Sequence, residues 1–116
     1  MFNTNLIKTP CYVIDEAKLI KNLEILKTVQ DRTDCKILLA QKAFSNFNFY
    51  PLIGKYLAGT TASGINEAML CHNYMPYAEN HIFAPAFTEK DMAEIVKICD
   101  HIVFNSFSQW DMHKNT

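Results

Sequence analysis

The chain has 116 residues, of which 49% are hydrophobic and 20% are charged; this composition is ordinary for a globular protein and excludes a disordered segment. Eleven basic and twelve acidic side chains give a formal net charge of -1 without a basic stripe, so we expect no nucleic-acid partner. The longest aliphatic run is too short to span a bilayer and no secretory signal is visible, so we expect a cytoplasmic protein with no membrane partner.

The first predicted elements are a strand and an amphipathic helix. Residues 9–14 form a β-rich run that stops at Asp15, a favourable N-cap. Apolar residues then recur every three or four positions, which predicts a helix with one face on the core. These core-facing residues are Leu19, Ile20, Leu23, Leu26 and Val29.

The rest of the chain predicts strands that alternate with helices. Strands are predicted at 36–40, 59–63, 81–84 and 101–104, with helices around 51–57, 65–75 and 92–99. Ser63 is predicted to cap the second of these helices, and Thr88 with Asp91 resembles a capping box for the third. Ser106 or Ser108 begins a last segment.

The spacing of these units predicts a parallel sheet. The residues that follow successive strands are 20 to 22 positions apart: Lys42, Ser63, Pro85 and Asn105. No glycine-rich fingerprint follows the 36–40 strand, which favours a barrel over a dinucleotide-binding open sheet. A closed (β/α)8 barrel needs about 250 residues. We therefore predict an α/β chain that forms the N-terminal half of a barrel from a larger enzyme.

Lys42 is the strongest candidate for catalysis. It follows three large aliphatic residues, so its amine either lies in water at a strand end or is held where a barrel builds its active site. There a desolvated amine would react with an aldehyde cofactor to form a Schiff base. Ala40 lies on the same face one pleat behind, and its small side chain leaves room for a planar ring.

The cysteines and histidines indicate structural roles. Cys11, Cys35, Cys71 and Cys99 are widely spaced without a C-x-x-C pair, which is typical of reduced, packed thiols. A zinc site at residues 71–72 or 99–101 is a remote alternative, because paired ligands on turns are missing. The four histidines are scattered and predict ordinary surface or core positions, so no metal is expected.

Three segments resemble one enzyme family. They are TPCYVID (9–15), ILLAQKAF (37–44) and GTTASGINEA (59–68). Their order and spacing are similar to the N-terminal third of the fold-type III pyridoxal-phosphate decarboxylases, within which they most resemble the carboxynorspermidine decarboxylases. The resemblance implies a pyridoxal-phosphate-binding barrel over residues 1–116, a C-terminal β domain outside this chain, and a homodimer with sites at the subunit interface.

The resemblance also implies site residues and a reaction. Lys42 would be the Schiff-base lysine, and Ser63 and Glu67 would lie near the cofactor. Ala40 is placed beside the cofactor by the strand alternation alone. Glu67 departs from related decarboxylases, whose glutamate follows the serine by three residues instead of four. The implied reaction is decarboxylation of carboxynorspermidine or carboxyspermidine to norspermidine or spermidine in polyamine biosynthesis, with this chain alone inactive.

Three alternatives remain open on the sequence. An amino-acid racemase of the same fold type would share the lysine-bearing strand but fits the Thr-Thr-Ala-Ser segment less well. A non-enzymatic pyridoxal-phosphate carrier would lack the C-terminal β domain. The third alternative is an inactive fragment with half a barrel and no complete site.

Overall fold

The computed structural model describes residues 4–116 and shows four parallel strands alternating with helices. The strands are β1 (Leu38–Ala40), β2 (Gly59–Ala62), β3 (Glu79–Phe83) and β4 (His101–Val103), and they pair in chain order. The α/β class and the parallel sheet are confirmed. Sequential parallel pairing with a helix after each strand is consistent with part of a TIM-type barrel.

Residues 4–116 contain five α-helices, of which the first precedes β1 and the others each follow a strand: α1 (Glu16–Thr33), α2 (Tyr50–Ile53), α3 (Ile65–Tyr74), α4 (Glu89–Ile98) and α5 (Phe107–His113). Short 3-10 turns lie at Thr4–Leu6 and Phe47–Phe49. None of the helices in the described part of the chain is long and apolar enough to cross a membrane.

Three of the predicted N-caps are confirmed. The side chain of Asp15 accepts a hydrogen bond from the backbone N–H of Lys18 at 3.1 Å, and that of Thr88 accepts one from Asp91 at 3.1 Å. Ser106, not Ser108, caps α5. Each side-chain oxygen satisfies a backbone donor that the first helical turn leaves unpaired.

The predicted strand at 9–14 is wrong. This segment is irregular, and the Tyr12 side chain is fully exposed. β-Branched and aromatic residues favour a strand only where the backbone finds a partner and the side chains find a surface to pack on. No described strand lies beside this segment, so its β propensity is not realised.

The described helices cover only one of the two faces of the sheet. On the helix-covered face, Leu39 and Ile82 pack into two apolar clusters with residues of α1 to α4. The opposite face, which we call the open face, leaves Phe83 45% and Val103 51% exposed. In a closed barrel this face would be the interior, which supports the interpretation of the chain as part of a barrel.

Helix α1 packs less completely than its pattern predicted. Leu23 is buried, but Leu26 and Val29 remain 37% and 43% exposed. Strand β1 lies at the edge of the sheet, so no further strand extends the surface on which this helix packs. The predicted helix at 51–57 is also shorter, because α2 ends at Ile53 and turns follow to Leu57.

Candidate active site

Lys42 lies in a tight turn directly after β1. The backbone N–H of Gln41 donates to Thr61 O on β2 at 3.2 Å, and the N–H of Ala43 donates to Ala40 O at 2.9 Å. The backbone is thus held on both sides of Lys42. Its side chain is exposed, and the described residues offer it no hydrogen bond or ion pair. Residues 4–116 therefore do not supply the expected desolvation of the amine, because none of them covers Lys42 on the open face.

A small cavity gathers most of the predicted site residues. It has a volume of about 70 Å³ and is lined by Ala40, Lys42, Thr61, Ala62, Ser63 and Phe83. The alternation of side chains along β1 is confirmed, since Ala40 and Lys42 share this cavity while Leu39 packs on the opposite face. Carboxyl ends of parallel strands meet at one edge of a sheet, which brings Ser63 beside Lys42.

Ser63 does not cap α3 as predicted. Gly64 is the N-cap residue, and its extended backbone makes no side-chain capping bond. Instead, the backbone N–H of Ser63 donates to Glu67 Oε2 at 2.6 Å. Glu67 lies in the first turn of α3, where a carboxylate is favoured by the helix dipole. Glu67 therefore fixes the loop that carries Ser63 and does not itself line the cavity.

A buried polar network lies behind Lys42, and the sequence did not predict it. Gln41 is 1% exposed; its Oε1 accepts from the Tyr50 hydroxyl and its Nε2 donates to Thr60 Oγ1, both at 2.9 Å. Burial, with a smaller effect of the Glu67 charge, raises the pKa of Tyr50 to about 12, so its hydroxyl stays a donor. The only sign of this network in the sequence was a glutamine at a core-facing position after an apolar strand. Its bonds tie the Lys42 turn to β2 and α2.

Three of the aromatic residues that follow Lys42 pack into the apolar cluster on the helix-covered face of the sheet. Tyr50 is fully buried, and Phe44 and Phe49 contact each other edge to face in the same cluster. None of them lines the Lys42 cavity. They support the turn from the helix-covered face.

A larger cavity of about 450 Å³ lies beyond β4 and does not reach Lys42. It is lined by Phe104, Asn105, Ser106, Phe107 and Trp110. These side chains include no group that titrates near neutral pH and no amine. Size alone would favour this cavity, but Lys42, the predicted catalytic residue, lies outside it.

Two of the four cysteines have the packed position that was predicted for all of them. Cys71 is fully buried and Cys99 half-buried; burial raises the pKa of both thiols, that of Cys99 to about 11. These two behave as packed, unreactive thiols. Cys11 and Cys35 are exposed, contrary to expectation, and all four are free.

Pairing of β3 with β4 brings two histidines that are far apart in the sequence together with a glutamate. Within residues 4–116, the one group of three potential metal ligands is Glu79, His81 and His101 on the open face. Lys36 and His81 hold the pKa of the Glu79 carboxyl near 2, well below its usual range, through hydrogen bonds and charge. Pairing of neighbouring strands decides this cluster, so local sequence patterns did not indicate it.

No family model matches the chain. Individual proteins do match. A carboxynorspermidine/carboxyspermidine decarboxylase of Campylobacter jejuni is 42% identical over 104 residues, which are 90% of this chain and 27% of that protein. The enzyme of the same name from Herminiimonas arsenicoxydans is 38% identical over 105 residues, which are 90% of this chain and 28% of that protein.

A solved structure agrees with these relatives. The crystal structure of carboxynorspermidine decarboxylase from Campylobacter jejuni, complexed with norspermidine, superposes with a TM-score of 0.91 at 40% identity. It covers 94% of this chain and 29% of the solved chain. The chain is homologous to carboxynorspermidine decarboxylases. The resemblance seen in the three motifs is thereby confirmed.

The length and the names of the similar proteins both bear on function. The chain spans a little over a quarter of the length of these relatives. A third relative, a carboxyaminopropylagmatine decarboxylase of Synechocystis, is 33% identical over 110 residues, covering 95% of this chain and 28% of that protein. Decarboxylation is common to all these names, whereas the substrate differs.

Proposed function

We propose that this chain is the lysine-bearing part of a pyridoxal-phosphate-dependent decarboxylase that converts carboxynorspermidine or carboxyspermidine to norspermidine or spermidine. The observation that carries the proposal is the cavity that Lys42 lines together with Ala40 and Ser63 at the carboxyl edge of the sheet. The homologous decarboxylases support the reaction class. The rest of the enzyme, including a C-terminal β domain, would lie outside residues 1–116.

The residues at this edge suit an aldehyde cofactor. Lys42 is a primary amine held on a backbone fixed at both sides, and it is accessible to a ligand. The cavity is smaller than the roughly 300–1,000 Å³ of complete ligand sites, so these residues would form one wall and the absent half of the barrel the other. When bound, pyridoxal phosphate supplies an electron sink for the pair left as carbon dioxide departs.

Each side chain would have a distinct part. The Lys42 amine would attach the cofactor aldehyde and give way to the substrate amine. The small Ala40 would leave space for the cofactor ring, and the Ser63 hydroxyl would offer a hydrogen bond at the cavity rim. Glu67 would hold the Ser63 loop through the 2.6 Å bond to its backbone.

The size of Ala40 provides a test of this arrangement. In the full-length enzyme we expect Ala40→Leu to weaken cofactor binding by at least about tenfold, since three added carbons would fill the cavity. Leu39→Met on the opposite face should cost less than about 1.5 kcal/mol of stability and leave cofactor affinity unchanged. Absorbance titration with pyridoxal phosphate measures both. Equal affinity of wild type and Ala40→Leu would contradict the assignment of Ala40 to the pocket wall.

A substrate comparison tests the function. We expect full-length protein with pyridoxal phosphate to release carbon dioxide from carboxynorspermidine or carboxyspermidine with a higher kcat/KM than from carboxyaminopropylagmatine, because the more identical relatives carry the former names. Preference for carboxyaminopropylagmatine would favour the Synechocystis-like activity. Racemisation of amino acids without decarboxylation, or cofactor binding without turnover, would refute the proposal.

The assembly follows from the same proposal. We expect the full-length enzyme to be a cytoplasmic homodimer, and the 116-residue chain alone to be inactive and to associate. The exposed Phe83 and Val103 leave apolar surface on the open face that a complete barrel would bury.

A further inference from the structure

Three metal-binding side chains meet on the open face, at the end of the sheet away from Lys42. Glu79 and His81 are two residues apart on β3 and therefore point to the same face. His101 is the Cα partner of His81 on β4. Glu79 and His101 begin their strands, whereas Lys42 follows the carboxyl end of β1. This cluster is separate from the proposed cofactor site.

The donor atoms are close enough to share one ion. Glu79 Oε2 lies 2.9 Å from His81 Nε2 and 3.8 Å from His101 Nε2. One potential ligand atom from each of the three residues lies within 4.8 Å of the other two. Ligands at about 2.0–2.2 Å from a tetrahedral zinc ion lie roughly 3.3 Å apart. The imidazole rings stack with centroids 4.2 Å apart at 29°. Small side-chain rotations would therefore bring all three donors into coordination.

The surrounding charge is compatible with an ion. Lys36 Nζ contacts Glu79 Oε1, which leaves Oε2 directed at His81. The Lys36 side chain is 65% exposed and can keep this contact, or leave it, when Oε2 binds a metal. Without an ion, the Glu79–His81 hydrogen bond satisfies both groups. Two imidazoles and one carboxylate are nevertheless the donor set of zinc sites with an open water position.

We propose that Glu79, His81 and His101 bind one Zn²⁺ ion through Oε2 and the two Nε2 atoms. A water molecule completes the coordination as the fourth ligand. The ion joins β3 to β4 at their amino ends. The inference is independent of the proposed decarboxylase activity, since none of its ligands lines the Lys42 cavity.

Zinc titration tests the site. Calorimetry with zinc chloride at pH 7.5 uses the full-length protein with Cys11→Ser and Cys35→Ser, which removes the two exposed thiols of this segment as competing ligands. We expect one equivalent of zinc to bind and the thermal unfolding midpoint to rise with zinc concentration. His101→Gln and His81→Gln should each weaken binding by more than about tenfold.

Two controls make the result decisive. His72→Gln removes an exposed histidine on α3 outside the cluster and should leave zinc affinity unchanged. Lys36→Met removes the competing cation and should leave affinity equal or higher. The His101 side chain is 55% exposed, so its substitution should not disturb folding. Absence of binding, or wild-type affinity in both His81→Gln and His101→Gln, would overturn the proposal.

Discussion

Lys42→Ala is expected to reduce decarboxylation by the full-length enzyme by at least about 1,000-fold, because the amine that would hold the cofactor and release the product is lost. Lys42→Arg should be equally inactive, since a guanidinium keeps the positive charge but is not a nucleophilic amine at neutral pH. Carbon dioxide release measures both variants. The loss should appear in kcat without unfolding, because Lys42 is exposed in a turn.

A control substitution at a second exposed lysine and a labelling experiment show whether activity depends on the Lys42 amine itself or on positive charge. Lys55→Ala removes another exposed lysine, outside the cavity, and should keep wild-type activity. Borohydride reduction of the wild-type holoenzyme followed by peptide mapping should place the pyridoxyl group on Lys42. A label on any other lysine, or full turnover by Lys42→Ala, would disprove the assignment.

Gly59→Ala is expected to destabilise the fold by more than about 3 kcal/mol. Gly59 is the Cα partner of Glu79 across β2 and β3. A Cβ at this position would overlap the backbone carbonyl oxygen of Glu79. It would also lie 2.7 Å from the backbone carbonyl carbon of Glu79 and 2.8 Å from the backbone nitrogen of Glu79. These are backbone atoms, so relief requires the two strands to separate, and a domain stability of about 5–15 kcal/mol leaves little margin.

Gly64→Ala is the matched control. No atom lies within 4 Å of a Cβ built on Gly64, and its extended backbone suits any residue. Its change in unfolding free energy should stay within about 1 kcal/mol. Urea unfolding followed by circular dichroism compares the two variants. Similar stability for Gly59→Ala and wild type would show that β2 and β3 do not approach as closely as described.

Local sequence patterns determined the elements and the lysine position. Alternating strand and helix patterns predicted the succession of four strands and their helices along the chain, because side-chain periodicity and capping are local properties. Asp15 and Thr88 were identified as caps for the same reason. The two-residue period of a strand placed Ala40 and Lys42 on one face before any tertiary contact was known.

Only the tertiary structure decided which of these groups meet and which stay unpaired. The 9–14 segment has strand propensity but no described partner strand, so it is irregular. The Gln41–Tyr50 bond and the cluster of Glu79, His81 and His101 join residues of different elements, which no local pattern encodes. Lys42 is exposed because no element in the described part of the chain covers it on the open face. The two-residue period of a strand indicates on which face a side chain lies, whereas long-range strand pairing determines which residues it contacts on that face.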